Sequence, residues 1–126
     1  MRNFKREFKF RAWDIESPAM LTWEEIQEDW ETEGYSDNIL RGDHYIPMQY
    51  TGIHDAYGKE IYEDDIIYIE SEEANFIVLW DDLVGAYTLC GIGVGYATNF
   101  DYCYEDDIQI VGNKHENPEL LGDEDL

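Results

Sequence analysis

Three doublets of carboxylates, Asp64 with Asp65, Asp81 with Asp82 and Asp106 with Asp107, carry the oxygen ligands that Mg²⁺ and Ca²⁺ take. Adjacent strand residues point to opposite faces, so a doublet offers one ion a single ligand, and the Ca²⁺ loop pattern D-x-D-x-D-G is absent. No metal is expected. His44, His54 and His115 are far apart in sequence, lack H-x-x-x-H spacing, and read as surface or loop histidines. Cys103 lies close to Asp101 and Glu105, whose charges raise a thiol pKa and disarm it as a nucleophile. Ser17, Ser36 and Ser71 sit in no G-x-S-x-G elbow. Gly91, Gly93 and Gly95 match neither the dinucleotide fingerprint nor the P-loop, and read as a flexible or bulged loop. With no set of nucleophile, base and orienting group, the chain is expected not to be an enzyme and to need no cofactor.

The dominant chemical feature is charge. Of 126 residues, 30 are Asp or Glu and 8 are Lys or Arg, a formal net charge of −22. Residues 1–11 hold Arg2, Lys5, Arg6, Lys9 and Arg11 against Glu7 alone, so the other 115 residues carry 3 basic side chains against 29 acidic ones. Such a field repels phosphate backbones and anionic headgroups, which argues against direct nucleic-acid or membrane-surface binding. The self-repulsion costs stability unless a partner or cation neutralises it. Two groups of acids are the candidate partner-binding residues: Glu24, Glu25, Glu28, Asp29, Glu31 and Glu33 as one face, and Asp81, Asp82, Glu105, Asp106 and Asp107 as a second.

Aromatic residues make up 15% of the chain, with four Trp and ten Tyr. Stacking platforms for bases come with a basic groove, which is missing here, so these rings are assigned to a core and to protein contacts. Tyr96, Tyr102 and Tyr104 beside Asp101 and Glu105 to Asp107 form a mixed aromatic and acidic patch that suits a basic partner. Hydrophobic residues at 44% allow a folded core, and the length predicts one domain over residues 1–121 with an acidic disordered tail at 122–126. No apolar run has membrane-helix or signal-peptide character, and two cysteines thirteen residues apart make no disulfide framework. Reduced thiols and a cytoplasmic location are expected.

The elements that must position these groups are mostly short strands. Alternation predicts a strand over 5–13. Thr22 as N-cap, Glu25 at the capping-box position and Leu21 with Ile26 as staple start one acidic helix over 22–33, with Trp23, Ile26 and Trp30 on one face and Gly34 as its stop. Residues 45–51 read as a strand, placed on an edge by Pro47. A turn at Tyr57-Gly58-Lys59 follows. Runs at 66–69 and 76–80 form a hairpin, and further strands fall at 86–90 and at 108–111, the last closed by Gly112. The fold class is mainly β, a small antiparallel barrel or folded sheet with one short acidic helix.

Three segments carry a resemblance: Lys9-Phe10-Arg11-Ala12-Trp13-Asp14; Met48-Gln49-Tyr50-Thr51-Gly52-Ile53 with Asp55 and Gly58-Lys59-Glu60-Ile61-Tyr62-Glu63-Asp64-Asp65-Ile66; and Val111-Gly112-Asn113 with Glu116-Asn117-Pro118-Glu119-Leu120-Leu121. In order and spacing they resemble the YopX family of phage and prophage proteins. The resemblance implies a mainly β, barrel-like fold and a phage or prophage origin, and it brings no catalytic residues. The family's usual Glu-Gly-Asp stands here as Glu63-Asp64-Asp65, a glycine exchanged for a carboxylate.

Two functions fit these observations. In the first, the protein binds a host protein with a basic surface and displaces nucleic acid from it, inhibiting a defence or transcription factor. In the second, it is an oligomeric small-ligand-binding or accessory module of phage replication, a homo-oligomer in which the basic N-terminal arm docks on the acidic body of a neighbouring copy.

Overall fold

The computed structural model describes residues 8–33 and 44–122, with the side chains of 29–33 excepted. The chain divides into two compact units, Met1–Tyr50 and Thr51–Leu126.

In the first unit, β1 (Phe10–Asp14) pairs antiparallel with β2 (Ala19–Leu21), Ala12 facing Leu21 and Asp14 facing Ala19. The reversal between them is drawn tight by Asp14, whose Oδ1 accepts the N–H groups of Glu16 at 3.0 Å and Ser17 at 3.2 Å. Helix α1 (Trp23–Glu33) starts as its sequence demands. Thr22 Oγ1 accepts the N–H of Glu25 at 3.2 Å, and Glu25 Oε1 accepts the N–H of Thr22 at 3.4 Å, so two otherwise orphaned donors are satisfied. Leu21 and Trp23 pack with Ile26 on Ala12 and Tyr45, and Phe10 and Trp23 place their ring centroids 6.2 Å apart. This is the apolar stripe of the helix. The side chain of Trp30, and Gly34 as the stop, lie outside the described residues.

Strand β3 (Tyr45–His54) lies beside β1 with Phe10 facing Gln49 and Asp14 facing Tyr45. The edge position expected from Pro47 is not what forms, because the order of the four-stranded sheet is β2-β1-β3-β4, with β4 at Glu60–Tyr62. Tyr50 donates its N–H to the Lys9 carbonyl at 2.9 Å, and antiparallel pairs alternate along the ladder. Pro47, opposite Ala12, therefore falls where the backbone nitrogen points away from β1, and no bond to β1 is forfeited.

The second unit is built on a five-stranded antiparallel sheet of order β8-β7-β6-β5-β9, which ends on two edge strands as a curled half-barrel and does not close. Its strands are β5 (Asp65–Ile69), β6 (Ala74–Asp81), β7 (Ala86–Ile92), β8 (Ala97–Thr98) and β9 (Ile108–Asn113). Period-two alternation sorts their side chains. Ile67, Ile69, Phe76, Val78, Leu89 and Ile108 join Ile61 on one face, while Ile66, Ile77 and Leu121 pack on the other with Leu79, Cys90 and Leu120. Burial on both faces is why β5 reads as an unbroken apolar run. Each of the large aliphatic side chains fully removed from water contributes about 1.5–3 kcal/mol.

Two devices bend the chain. Opposite β5 the register of β9 slips between Ile66, facing Gly112, and Ile67, facing Ile110, which leaves Val111 as the extra residue of a bulge. A Cβ on Gly112 would come within 2.6 Å of Asn117 Oδ1, so only glycine lets the following turn close on β9. The Gly91, Gly93 and Gly95 loop is likewise structural: Gly91 N–H bonds the Tyr96 carbonyl at 3.0 Å, a Cβ there would strike that oxygen at 2.6 Å, and Gly93 has φ +75°.

Short 3-10 turns at Glu70–Glu72, Phe100–Tyr102, Glu105–Asp107 and Pro118–Leu121 complete the unit. The fold is mainly β, with antiparallel sheets and few helices. Of the first predicted strand, residues 5–7 lie outside the described residues and β1 starts at Phe10, while β3 runs three residues further than predicted and β9 extends through Gly112 to Asn113.

Candidate functional site

The tip of the β6–β7 hairpin carries Leu83, the most exposed large hydrophobic among the described residues, and Val84 beside it. Asp81 shapes its tip, accepting the N–H of Leu83 on Oδ1 at 2.9 Å and that of Gly85 on its carbonyl at 2.8 Å, with Gly85 at φ +63°. Leu83 is 96% exposed and Val84 68% exposed. Asp82 accepts the indole N–H of Trp80 at 2.8 Å, and the Trp80 ring meets Tyr87 edge-on at a centroid distance of 5.0 Å. Leu83 and Val84 thus lie in water beside two carboxylates at the tip of the hairpin.

Beside this tip lies a cleft of about 600 Å³ lined by the start of β7, by β8 and by the 3-10 turn Phe100–Tyr102, with Asp81 and Val84 from the hairpin. Asn99 anchors the turn by accepting the N–H of Asp101 on its side-chain oxygen at 2.9 Å. Tyr102 and Tyr104 stand 80% and 78% exposed, with Asp101, Glu105 and Asp106 exposed around them. The mixed patch expected there thus forms around these two rings. Tyr96 is spent otherwise: its hydroxyl donates to Glu72 at 2.7 Å, a bond that raises the phenol pKa, and its ring packs on Phe76.

The predicted acids fall into three kinds. Glu24, Glu25 and Glu28 are exposed on α1 in the first unit, where Glu25 also closes the capping box, while the side chains of Asp29, Glu31 and Glu33 lie outside the described residues. Asp82 and Asp106 are exposed, and Asp81 lines the cleft. Glu105 and Asp107 do structural work. Glu105 accepts the N–H of His54 at 3.3 Å, and Asp107 receives both the N–H and the hydroxyl of Ser71, at 3.1 and 2.5 Å. Of the basic arm, Arg2, Lys5 and Arg6 lie outside the described residues, and Lys9 holds its ammonium 5.5 Å from the ring centre of Tyr50.

The family model for the YopX protein matches residues 9–122. The chain belongs to the YopX family. Two solved structures share the YopX fold with it. Protein EF1440 from Enterococcus faecalis is 23% identical with a TM-score of 0.63, the match covering 93% of this chain and 99% of that one. YopX from Bacillus subtilis is 21% identical with a TM-score of 0.53, over 90% of this chain and 97% of that one. These likenesses are of fold alone. No curated protein matches the sequence.

The motif residues of the YopX resemblance are largely scaffold. Asp55 is a buried hub: Oδ1 accepts the N–H groups of Tyr57 and Lys59, both at 2.9 Å, and Oδ2 that of Ile110 at 3.0 Å. Burial pushes its carboxyl pKa up, but those N–H groups and the Lys59 charge outweigh it, so the pKa ends below its ordinary value. Asp65 holds the Tyr62 N–H at 2.8 Å, and Asn113 binds the N–H groups of His115 at 3.0 Å and Glu116 at 2.8 Å. His115 lies in the turn after β9, as a loop histidine, but not at the surface: its side chain is 7% exposed and its Nε2 lies 2.9 Å from Asp64 Oδ2.

The Cys103 thiol pKa is raised, first by burial and then by the charges of Asp107 and Glu72, where sequence had pointed to Asp101 and Glu105. Among the described residues no three His, Cys, Asp or Glu side chains gather as metal ligands, and no helix is long and apolar enough to cross a membrane.

Proposed function

We propose that this chain is a non-enzymatic phage or prophage protein of the bacterial cytoplasm that binds a host protein on a basic, nucleic-acid-binding surface and keeps nucleic acid off it. The observation that carries this reading is the β6–β7 tip, where Leu83 and Val84 stand exposed directly after the acids Asp81 and Asp82 in a chain of net charge −22. The charge supplies long-range steering and orientation, which salt weakens. The apolar tip and the exposed Tyr102 and Tyr104 supply the few desolvated anchors in which binding energy concentrates. The acids of α1, in the first unit, offer a second anionic surface, with Glu24 and Glu28 exposed. A host defence or transcription factor that grips phosphates is the class of target such a surface fits.

Capture from bacterial lysate at low and at about physiological salt tests it. A retained nucleic-acid-binding protein that is released by added DNA, and lost when Glu24, Glu28, Asp29, Glu31 and Glu33 are neutralised, is the expected result. Retention indifferent to both salt and DNA overturns the reading.

A further inference from the structure

The cleft beside the hairpin narrows the chemistry of the partner. We infer that it takes an arginine side chain presented by the basic partner, a refinement that rests on the function proposed above. Two carboxylates, Asp81 and Asp101, and three rings, Tyr87, Phe100 and Tyr102, line one space of about 600 Å³, and among the described residues no Lys or Arg lines it. Among the described residues the Asp101 carboxylate has no hydrogen-bond or ion-pair partner of its own, while Asp81 has committed Oδ1 to the Leu83 N–H. An anionic ligand would meet uncompensated carboxylates there. A neutral apolar ligand would leave them desolvated without a counter-charge. A cation satisfies both, and among side-chain cations guanidinium fits best: it is planar, weakly hydrated, stacks on aromatic faces and offers carboxylates a fork of donors. An ammonium brings the same charge but no stacking plane.

The test uses the full ¹⁵N-labelled chain and three tripeptides, N-acetyl-Gly-Arg-Gly-amide and its lysine and citrulline counterparts, followed by amide chemical shifts. Arginine should give saturable shifts at Thr88, Ala97, Thr98 and Asn99, with lysine weaker and citrulline, equal in shape but uncharged, inert. Asp101→Asn with Asp81→Asn should weaken the arginine peptide about tenfold and Tyr102→Ala about threefold, the ranges for a lost charge-assisted pair and an exposed cation–π contact. The side-chain amide in Asp81→Asn keeps an acceptor for the Leu83 N–H, and unchanged amide spectra elsewhere certify the fold. Arginine and lysine shifts of equal size spread over the acidic surface, or no shift at the cleft, overturn the inference. If the double variant still captures the host partner while the α1 variants do not, the arginine site fails and the proposed function stands. If the unaltered chain captures no basic partner, that function fails, whatever the peptides show.

Discussion

Nε2 of His115 lies 2.9 Å from Oδ2 of Asp64, and Asp64 sits at φ +69°, a conformation that favours glycine. The Asp64 carboxylate, standing where the resemblance places a glycine, thus comes with local backbone strain and ties the β4–β5 turn to the segment after β9. Lys114 N–H, bonded to the Asp64 carbonyl at 2.9 Å, draws the same two segments together. Asp64→Gly removes the strain and the bond at once, so its stability should stay within about 1 kcal/mol of the parent. Asp64→Ala keeps the strain and loses the bond, and should cost about 2 kcal/mol. Urea denaturation of the two variants at neutral pH checks this, and equal losses would show that the conformation is free of cost.

Asp55 should make the second unit sensitive to acid. Its folded pKa is depressed below its unfolded value, so its contribution is complete above the unfolded pKa and is lost as pH falls through the folded one. Asp55→Asn should therefore lower stability by about 1–3 kcal/mol at neutral pH, and the gap to the parent should shrink below about pH 4. Denaturation midpoints from pH 7 down to 3 measure it. A gap that persists unchanged at the acid end contradicts a charged hub.

The start of α1 offers a control for any experiment on its charge. Thr22→Ala removes the acceptor for the Glu25 N–H and should cost about 1 kcal/mol, with helical signal falling in far-UV circular dichroism. Neutralising Glu25 disturbs the same box. A charge variant of α1 that spares Glu25 should alter partner capture without altering stability.

Much of the scaffold was legible in the sequence. Thr22 with Glu25, the β5–β6 hairpin and the period-two core follow from local chemistry that few residues decide. Pro47 misled because its cost depends on which way its nitrogen faces, and that is set by register with β1. The buried His115 was missed because its partner, Asp64, lies 51 residues away. The cleft was illegible for a similar reason: Asp81 and Asp101 meet only through the pairing of β6 with β7 and β7 with β8. Acidic clusters look alike in sequence whether they bind inward, as Asp107 does on Ser71, or face water, as Asp106 does. The family motif located Asp55, Asp65 and Asn113, which hold the fold and leave the partner unspecified.

At the hairpin tip the proposed binding can be tested apart from stability. Leu83→Ser with Val84→Ser removes apolar surface already in water, so unfolding free energy should change by less than about 0.5 kcal/mol. Capture of the host partner should fall at least tenfold, as expected when central anchors of an interface are removed. A loss of stability without loss of capture would reassign the tip to folding.

The central claim is that this acidic surface and nucleic acid occupy the same place on the partner. Its most direct test is the affinity of the purified partner for this chain with and without saturating duplex DNA, at low and at about physiological salt. Mutually exclusive binding, with affinity for the chain falling as DNA or salt rises, is the predicted result. A ternary complex in which DNA leaves the affinity unchanged would contradict it.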